Sequence, residues 1–258
     1  MAAQPTAAYP LPRERNLILA VLMVLAAAAW AVLVWQWRTM DSEGMRLTMG
    51  MGAPLFLALW AAMMVAIMFP TAAPMILTFD RVQASRREKG KAFVPTWLFV
   101  GAYILLWTAT GFLAYLGARI GDSLAGETMW LMDNAGRVGG VVLVTAGFYQ
   151  LSPLKTTCLS KCRTPMGFIL GSWRDGYGGA MRMGLEHGTY CLGCCWLLFV
   201  ILFPLGIMNV AAMALITLVI FAEKSLAIGP QVARTAAVAL IVYGAVVIFL
   251  PGALPTMM

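Results

Sequence analysis

Apolar residues run in long blocks along this chain, and polar residues collect in the short intervals between them. The blocks fall at 17–37, 53–79, 95–117, 136–152, 178–204, 208–228 and 234–250, and most reach the roughly 20 residues that a helix needs to cross hydrocarbon. The pattern predicts an all-α protein, a polytopic transmembrane helix bundle of about seven spans (six to seven), with the fourth block the weakest. Pro70 and Pro74 are expected to break or bend the second span, because proline removes a helical hydrogen bond. The division that follows is an N-terminal tail over 1–16, a single transmembrane helical domain over 17–250 and a C-terminal tail over 251–258. About 21 apolar residues follow Arg13 and Arg15, more than the roughly 7 to 15 of a secretory leader, so the first span is expected to be a retained anchor.

Composition strengthens this picture. With 61% hydrophobic residues and only 11% charged, the chain leaves no room for a separate soluble domain. The net charge of +7 is better explained by topology than by an acidic partner, since the basic residues cluster between apolar blocks. A cytoplasmic N-terminus places 14 of the 18 Lys and Arg residues in inside segments and leaves Arg38, Arg46, Arg119 and Arg137 outside. That asymmetry predicts N-in, C-out. The lipid bilayer is then the expected partner, and nucleic acid is not. Neither a G-x-x-x-x-G-K-S/T loop nor a phosphorylatable D-K-T-G stretch occurs, so no nucleotide is expected.

Against this background the stretch "EHGTYCLGCCW" at 186–196 holds the only histidine and three of the five cysteines. On a helix turning about 100° per residue, with His187 at zero, Cys191, Cys194 and Cys195 fall at about 40°, 340° and 80°. Four soft or borderline donors therefore share one face. Gly184, Gly188 and Gly193 lower helix propensity here, and a local unwinding that re-aims the donors is the alternative. A second pair, Cys158 and Cys162, has C-x3-C spacing in the preceding segment, 153–177. That segment is expected in the cytosol, where free thiols or metal ligands are favoured over a structural disulfide.

Nineteen methionines add thioethers. Trp60, Met64 and Met68 recur at i, i+4 and i+8, and Met63 lies on an adjacent face; Met64 and Met68 are expected at a depth similar to the cysteines, toward the cytoplasmic half. Thiolate with thioether favours Cu(I), and thiolate with imidazole favours zinc, so Cu(I) is the expected metal and zinc the alternative.

Plainer readings stand beside these. Methionine is a common packing residue and buried cysteine a small hydrophobe. Glu223 and Lys224, at the end of the sixth block, either snorkel to the interface or pair with the donor cluster and relay protons. Glu186 can orient the His187 ring or accept its proton. Gln150 and Asn209 are expected to bond another helix rather than face lipid.

The blocks "WAAMMVAIMFPTAAP" at 60–74, "AGFYQLSPLKTTCLSKCRTP" at 146–165, "HGTYCLGCCW" at 187–196 and "GIMNVAAMALITLVIFAEK" at 206–224 carry a resemblance. Over about residues 50–228 the chain resembles a bacterial family described as predicted metal-binding integral membrane proteins, a domain of unknown function for which a copper-chaperone role has been proposed. The resemblance implies metal binding in the bacterial inner (plasma) membrane by a multi-pass protein. Cys158, Cys162, His187, Cys191, Cys194, Cys195, Met63, Met64, Met208 and the Glu223–Lys224 pair stand in the matching motifs. The function expected is Cu(I) delivery or buffering for a cuproenzyme or other copper-handling protein, with no catalytic residue assigned. Two other readings stay open: a membrane thiol-disulfide oxidoreductase using the C-x2-C-C cysteines, and a structural membrane subunit.

Overall fold

Ala, Leu and Met dominate the apolar blocks and are strong helix formers, and a helix satisfies its own backbone hydrogen bonds where water is absent. The computed structural model describes residues 12–39, 47–48, 50–91 and 93–254, and no strand occurs among them. The helices are α1 (Pro12–Thr39), α2 (Ala53–Glu88), α3 (Thr96–Glu127), α4 (Met129–Asp133), α5 (Ala135–Gln150), α6 (Pro153–Arg163), α7 (Pro165–Ser172), α8 (Gly176–Val200), α9 (Leu202–Leu205), α10 (Val210–Ser225) and α11 (Gly229–Phe249). Residues 12–16 of the expected N-terminal tail are already helical, and Pro251–Ala253 of the C-terminal tail form a 3-10 turn. The rest of the first tail, 1–11, and residues 255–258 lie outside the described residues.

Five helical segments are long and apolar enough to cross a membrane: Arg13–Thr39, Ala53–Glu88, Thr96–Glu127, Gly176–Leu205 and Gly229–Phe249. The apolar blocks at 136–152 and 208–228 produce helices of 16 residues each, with capping residues setting the end of the first and the start of the second. Ser152 accepts a hydrogen bond from Lys155 N and Pro153 opens α6, so α5 stops at Gln150. Asn209 likewise accepts from Ala212 N and caps α10. Such side chains satisfy backbone donors that a helix start leaves free.

The expected break at Pro70 and Pro74 does not occur. Both prolines lie inside one continuous 36-residue helix. Thr71 donates to Met68 O at 3.0 Å and Thr78 to Pro74 O at 2.7 Å, side-chain bonds of the kind that engage helical carbonyls around a proline.

Helix α2 is the centre of the core, packed against α1, α3, α7 and α10, while α8 packs on α3 and α6. Helices α2 and α8 are antiparallel: Trp60 faces Phe199, Met68 meets Cys191, and Phe79 stacks near Trp173. Helices α5 and α11 form a close pair, in which a β-carbon on Gly140 would stand 2.8 Å from Gly244 O. Small residues at such a crossing bring two backbones together. Leu17, Val24, Leu113, Val238 and Phe249 are among the large apolar side chains exposed on α1, α3 and α11, an outward face suited to hydrocarbon rather than water.

Candidate metal centre

The helical face read from the sequence is real: His187, Cys191, Cys194 and Cys195 are all buried on α8. The unwinding considered as an alternative is absent, since α8 is helical throughout Gly176–Val200. Its glycines serve close packing instead. A β-carbon on Gly184 would come 2.4 Å from Phe99 O of α3, and one on Gly193 would come 2.6 Å from Cys158 Sγ of α6.

That contact at Gly193 brings the two cysteine motifs together. Helix α6 lies against α8, and Cys162 Sγ stands 4.0 Å from Cys194 Sγ. All five cysteines are free thiols. Cys158 is half-buried; burial pushes its thiol above the ordinary range, and Cys194 adds to the rise.

Cys191 is the most heavily engaged sulfur. Lys224 Nζ lies 2.9 Å from it, Tyr103 Oη 3.0 Å and Met68 Sδ 3.8 Å. Cys194 and Cys195 direct their S–H groups to Cys191 O at 3.1 and 2.8 Å, the back-bonding that short polar side chains adopt on helices. Cys191 and Met68 each lie 15 residues beyond the first residue of their helix, Gly176 and Ala53. At about 1.5 Å per residue that is about 22 Å along each helix from its start.

His187 is enclosed by the rings of Phe99, Tyr103 and Phe168, at centroid distances of 5.9, 5.3 and 5.5 Å. It is only 3% exposed, yet neither ring nitrogen has a hydrogen-bond partner. Glu186 does not supply one, because its carboxylate accepts from Ser172 Oγ at 2.8 Å. Neighbouring helical positions point about 100° apart, and this pair follows that rule. A buried imidazole left unpaired is costly, and a soft or borderline metal is a partner that would relieve it.

Lys224 is the charge that reaches Cys191, and Glu223 and Lys155 pair with each other beside it. Glu223 accepts from Lys155 Nζ at 2.6 Å and from Gln150 Nε2 at 2.9 Å, and Glu223 and Lys155 are each 1% exposed. Arg163 donates to Glu223 O and to Leu226 O. These bonds fasten α6 to the end of α10. Glu223 is therefore a tether and does not snorkel, whereas Lys224 points at Cys191. Gln150 and Asn209 each bond another helix as expected: Gln150 reaches Glu223 of α10, and Asn209 Nδ2 donates to Leu205 O of α9 at 3.1 Å while its Oδ1 caps α10.

The methionines separate. Met64 and Met68 are fully buried, and Met68 Sδ stands 3.8 Å from Cys191 Sγ. Met63 and Met208 line a different cavity with Met51, Leu33, Phe56 and Trp60. The sulfurs and His187 do not close into one coordination shell: among the described residues no three His, Cys, Asp or Glu side chains are arranged as a ready metal-holding group. Tyr103, Lys155 and Met51 were missed in the sequence. Lys155 reads there as a loop cation and Tyr103 as one aromatic among many; Met51 carried a signal in the motif "MGMGAP", which places it just ahead of α2.

Helices of membrane-spanning length thus enclose buried thiols, a thioether and an imidazole. The PpoB2 copper chaperone family model matches residues 57–247, and the chain belongs to that family. No curated protein and no solved structure matches it.

Proposed function

We propose that this chain is a multi-pass inner-membrane copper chaperone that carries Cu(I) on Cys191, Cys194 and Cys162, with Met68 and His187 as further donors. The cargo would reach a cuproenzyme or another copper-handling protein. The observation that supports this best is His187: buried, unpaired at both nitrogens and one helical turn from Cys191. Thiolate and thioether select Cu(I) over harder ions, and an incompletely closed donor set suits a metal that must leave again. Transfer is ligand exchange: an incoming thiolate forms its bond to Cu(I) as a resident one releases, and the oxidation state is unchanged.

Seven spans with the N-terminus inside remain our reading of the topology, with α5 and α10 as short spans. In that arrangement α6, carrying Cys158 and Cys162, covers the thiols from the cytosolic side. Lys224 supplies a positive charge beside Cys191 and balances the extra negative charge of a bis-thiolate copper centre.

Metal analysis tests the reading. Protein purified anaerobically in detergent is expected to hold near-stoichiometric copper, and Cys191→Ser/Cys194→Ser to lose it. Zinc lost in the same way would keep the site but replace the cargo. Wild type without metal, carrying a reducible Cys162–Cys194 disulfide, would overturn the reading in favour of thiol-disulfide exchange.

A further inference from the structure

The second group of methionines is not explained by the thiol centre. Met51, Met63 and Met208 come from three separate segments: the turn before α2, α2 itself, and the connection between α9 and α10. They line one cavity of about 10 Å³, which is the room of a single water-sized occupant. The remaining walls include Leu33, Phe56 and Trp60, so among the described residues no charged side chain and no thiol lines it. Met51 and Met208 are only partly buried, which leaves the cavity near the surface. It lies toward the end of the α2–α8 pair where Trp60 meets Phe199, away from the Phe79–Trp173 end.

Resting on the copper reading above, we infer that this cavity is a second, thioether-only Cu(I) site, the station at which cargo is exchanged on the face opposite α6. Its chemistry differs from that of the thiol centre. Three neutral thioethers leave the ion its positive charge, which aromatic faces such as Trp60 and Phe56 favour. A neutral ligand set binds more weakly than thiolate, as a release point requires. Met63 is five residues from Met68 on α2, about 7.5 Å along the axis, with fully buried Met64 between them. One helix therefore carries thioethers from the cavity to Cys191.

The experiment is anaerobic titration of the full chain in detergent with Cu(I), using bathocuproine disulfonate as competitor. Wild type is expected to hold two equivalents, one tight and one weaker. Met51→Leu/Met63→Leu/Met208→Leu, which conserves volume, should lose only the weaker one. Cys191→Ser/Cys194→Ser should lose only the tight one. A triple methionine variant that binds as much copper as wild type, and as tightly, overturns the second site and leaves the thiol centre standing. Copper lost with the methionines but not with the cysteines sinks the thiol centre instead and keeps this one. Should the triple variant misfold, copper X-ray absorption of selenomethionine-labelled Cys191→Ser/Cys194→Ser decides. Selenium in the copper shell is the expected result, and its absence overturns the inference.

Discussion

Around Cys191 the sulfur meets Lys224 at 2.9 Å and Tyr103 at 3.0 Å, whereas Met63 and Met208 face a cavity walled by Leu33, Phe56 and Trp60. Helix α2 contributes a thioether to each region, Met68 to the first and Met63 to the second, yet only the first imports polar groups. The difference follows from charge. A thiolate in low dielectric needs a counter-charge or donors nearby, and a thioether needs neither. Buried charges in this fold therefore mark where sulfur is expected to ionise, and the apolar cavity marks where it is not.

The largest effect is expected at the tether that holds α6 over the thiols. Glu223→Leu leaves Lys155 buried without its partner, and breaking a buried pair in this way costs about 3–5 kcal/mol. Lys155→Met/Glu223→Leu together should recover most of that loss in thermal unfolding in detergent. A single variant no less stable than the double would show that the pair is not a closed unit. The methionine cavity, remote from this tether, should keep its copper equivalent in the double variant.

Next comes the contact that brings α6 onto α8. A β-carbon at Gly193 would stand 2.6 Å from Cys158 Sγ, and overpacking of this kind costs about 1–3 kcal/mol. Gly193→Ala should lower the melting temperature and expose Cys158 to alkylation. Gly101→Ala, where an added β-carbon meets nothing within 4 Å, is the control. Equal melting temperatures for the two variants would mean that α6 is not seated on Gly193.

These two contacts also show where the sequence stops being legible. Helical periodicity placed His187, Cys191, Cys194 and Cys195 on one buried face, because that grouping is local to one helix. The docking of Cys162 on Cys194 is not local: it depends on a glycine 31 positions beyond Cys162 and on Glu223, 68 positions beyond Lys155. The methionine split was legible in part, since Met63 lies about 100° from Met64 on a helix; what Met63 faces is supplied by Met51 and Met208 from loops. The blocks at 136–152 and 208–228 give helices of 16 residues each, since Ser152 and Pro153 start a new helix where the first block ends and Asn209 delays the start of α10 in the second. Pro70 and Pro74 misled in the opposite direction, as both lie within one continuous helix.

Lys224 tests the charge argument directly. Cu(I) held by two thiolates is a net anion, and the ammonium 2.9 Å from Cys191 neutralises it. Lys224→Leu should weaken copper binding at the thiol centre about tenfold, equivalent to about 1.4 kcal/mol. Lys224→Arg should keep most of the affinity, and the weaker equivalent assigned to the methionine cavity should not change. Tighter binding in Lys224→Leu would mean that the ammonium competes with the metal instead of balancing it.

The smallest effect concerns Cys158, which marks the edge of the thiol region. Burial and the neighbouring Cys194 raise its thiol, so at neutral pH it is protonated to a greater extent than an ordinary cysteine. Only the thiolate attacks an alkylating agent. Iodoacetamide labelling of the Cys158 peptide, followed by mass spectrometry, should therefore climb about tenfold per pH unit from pH 7 and continue past the ordinary value of about 8.5 without levelling. A plateau below pH 8 would place a cation beside Cys158 and extend the charged region onto α6. The expected climb would leave Cys158 a neutral thiol against Gly193, outside the sulfur that Lys224 and Tyr103 reach.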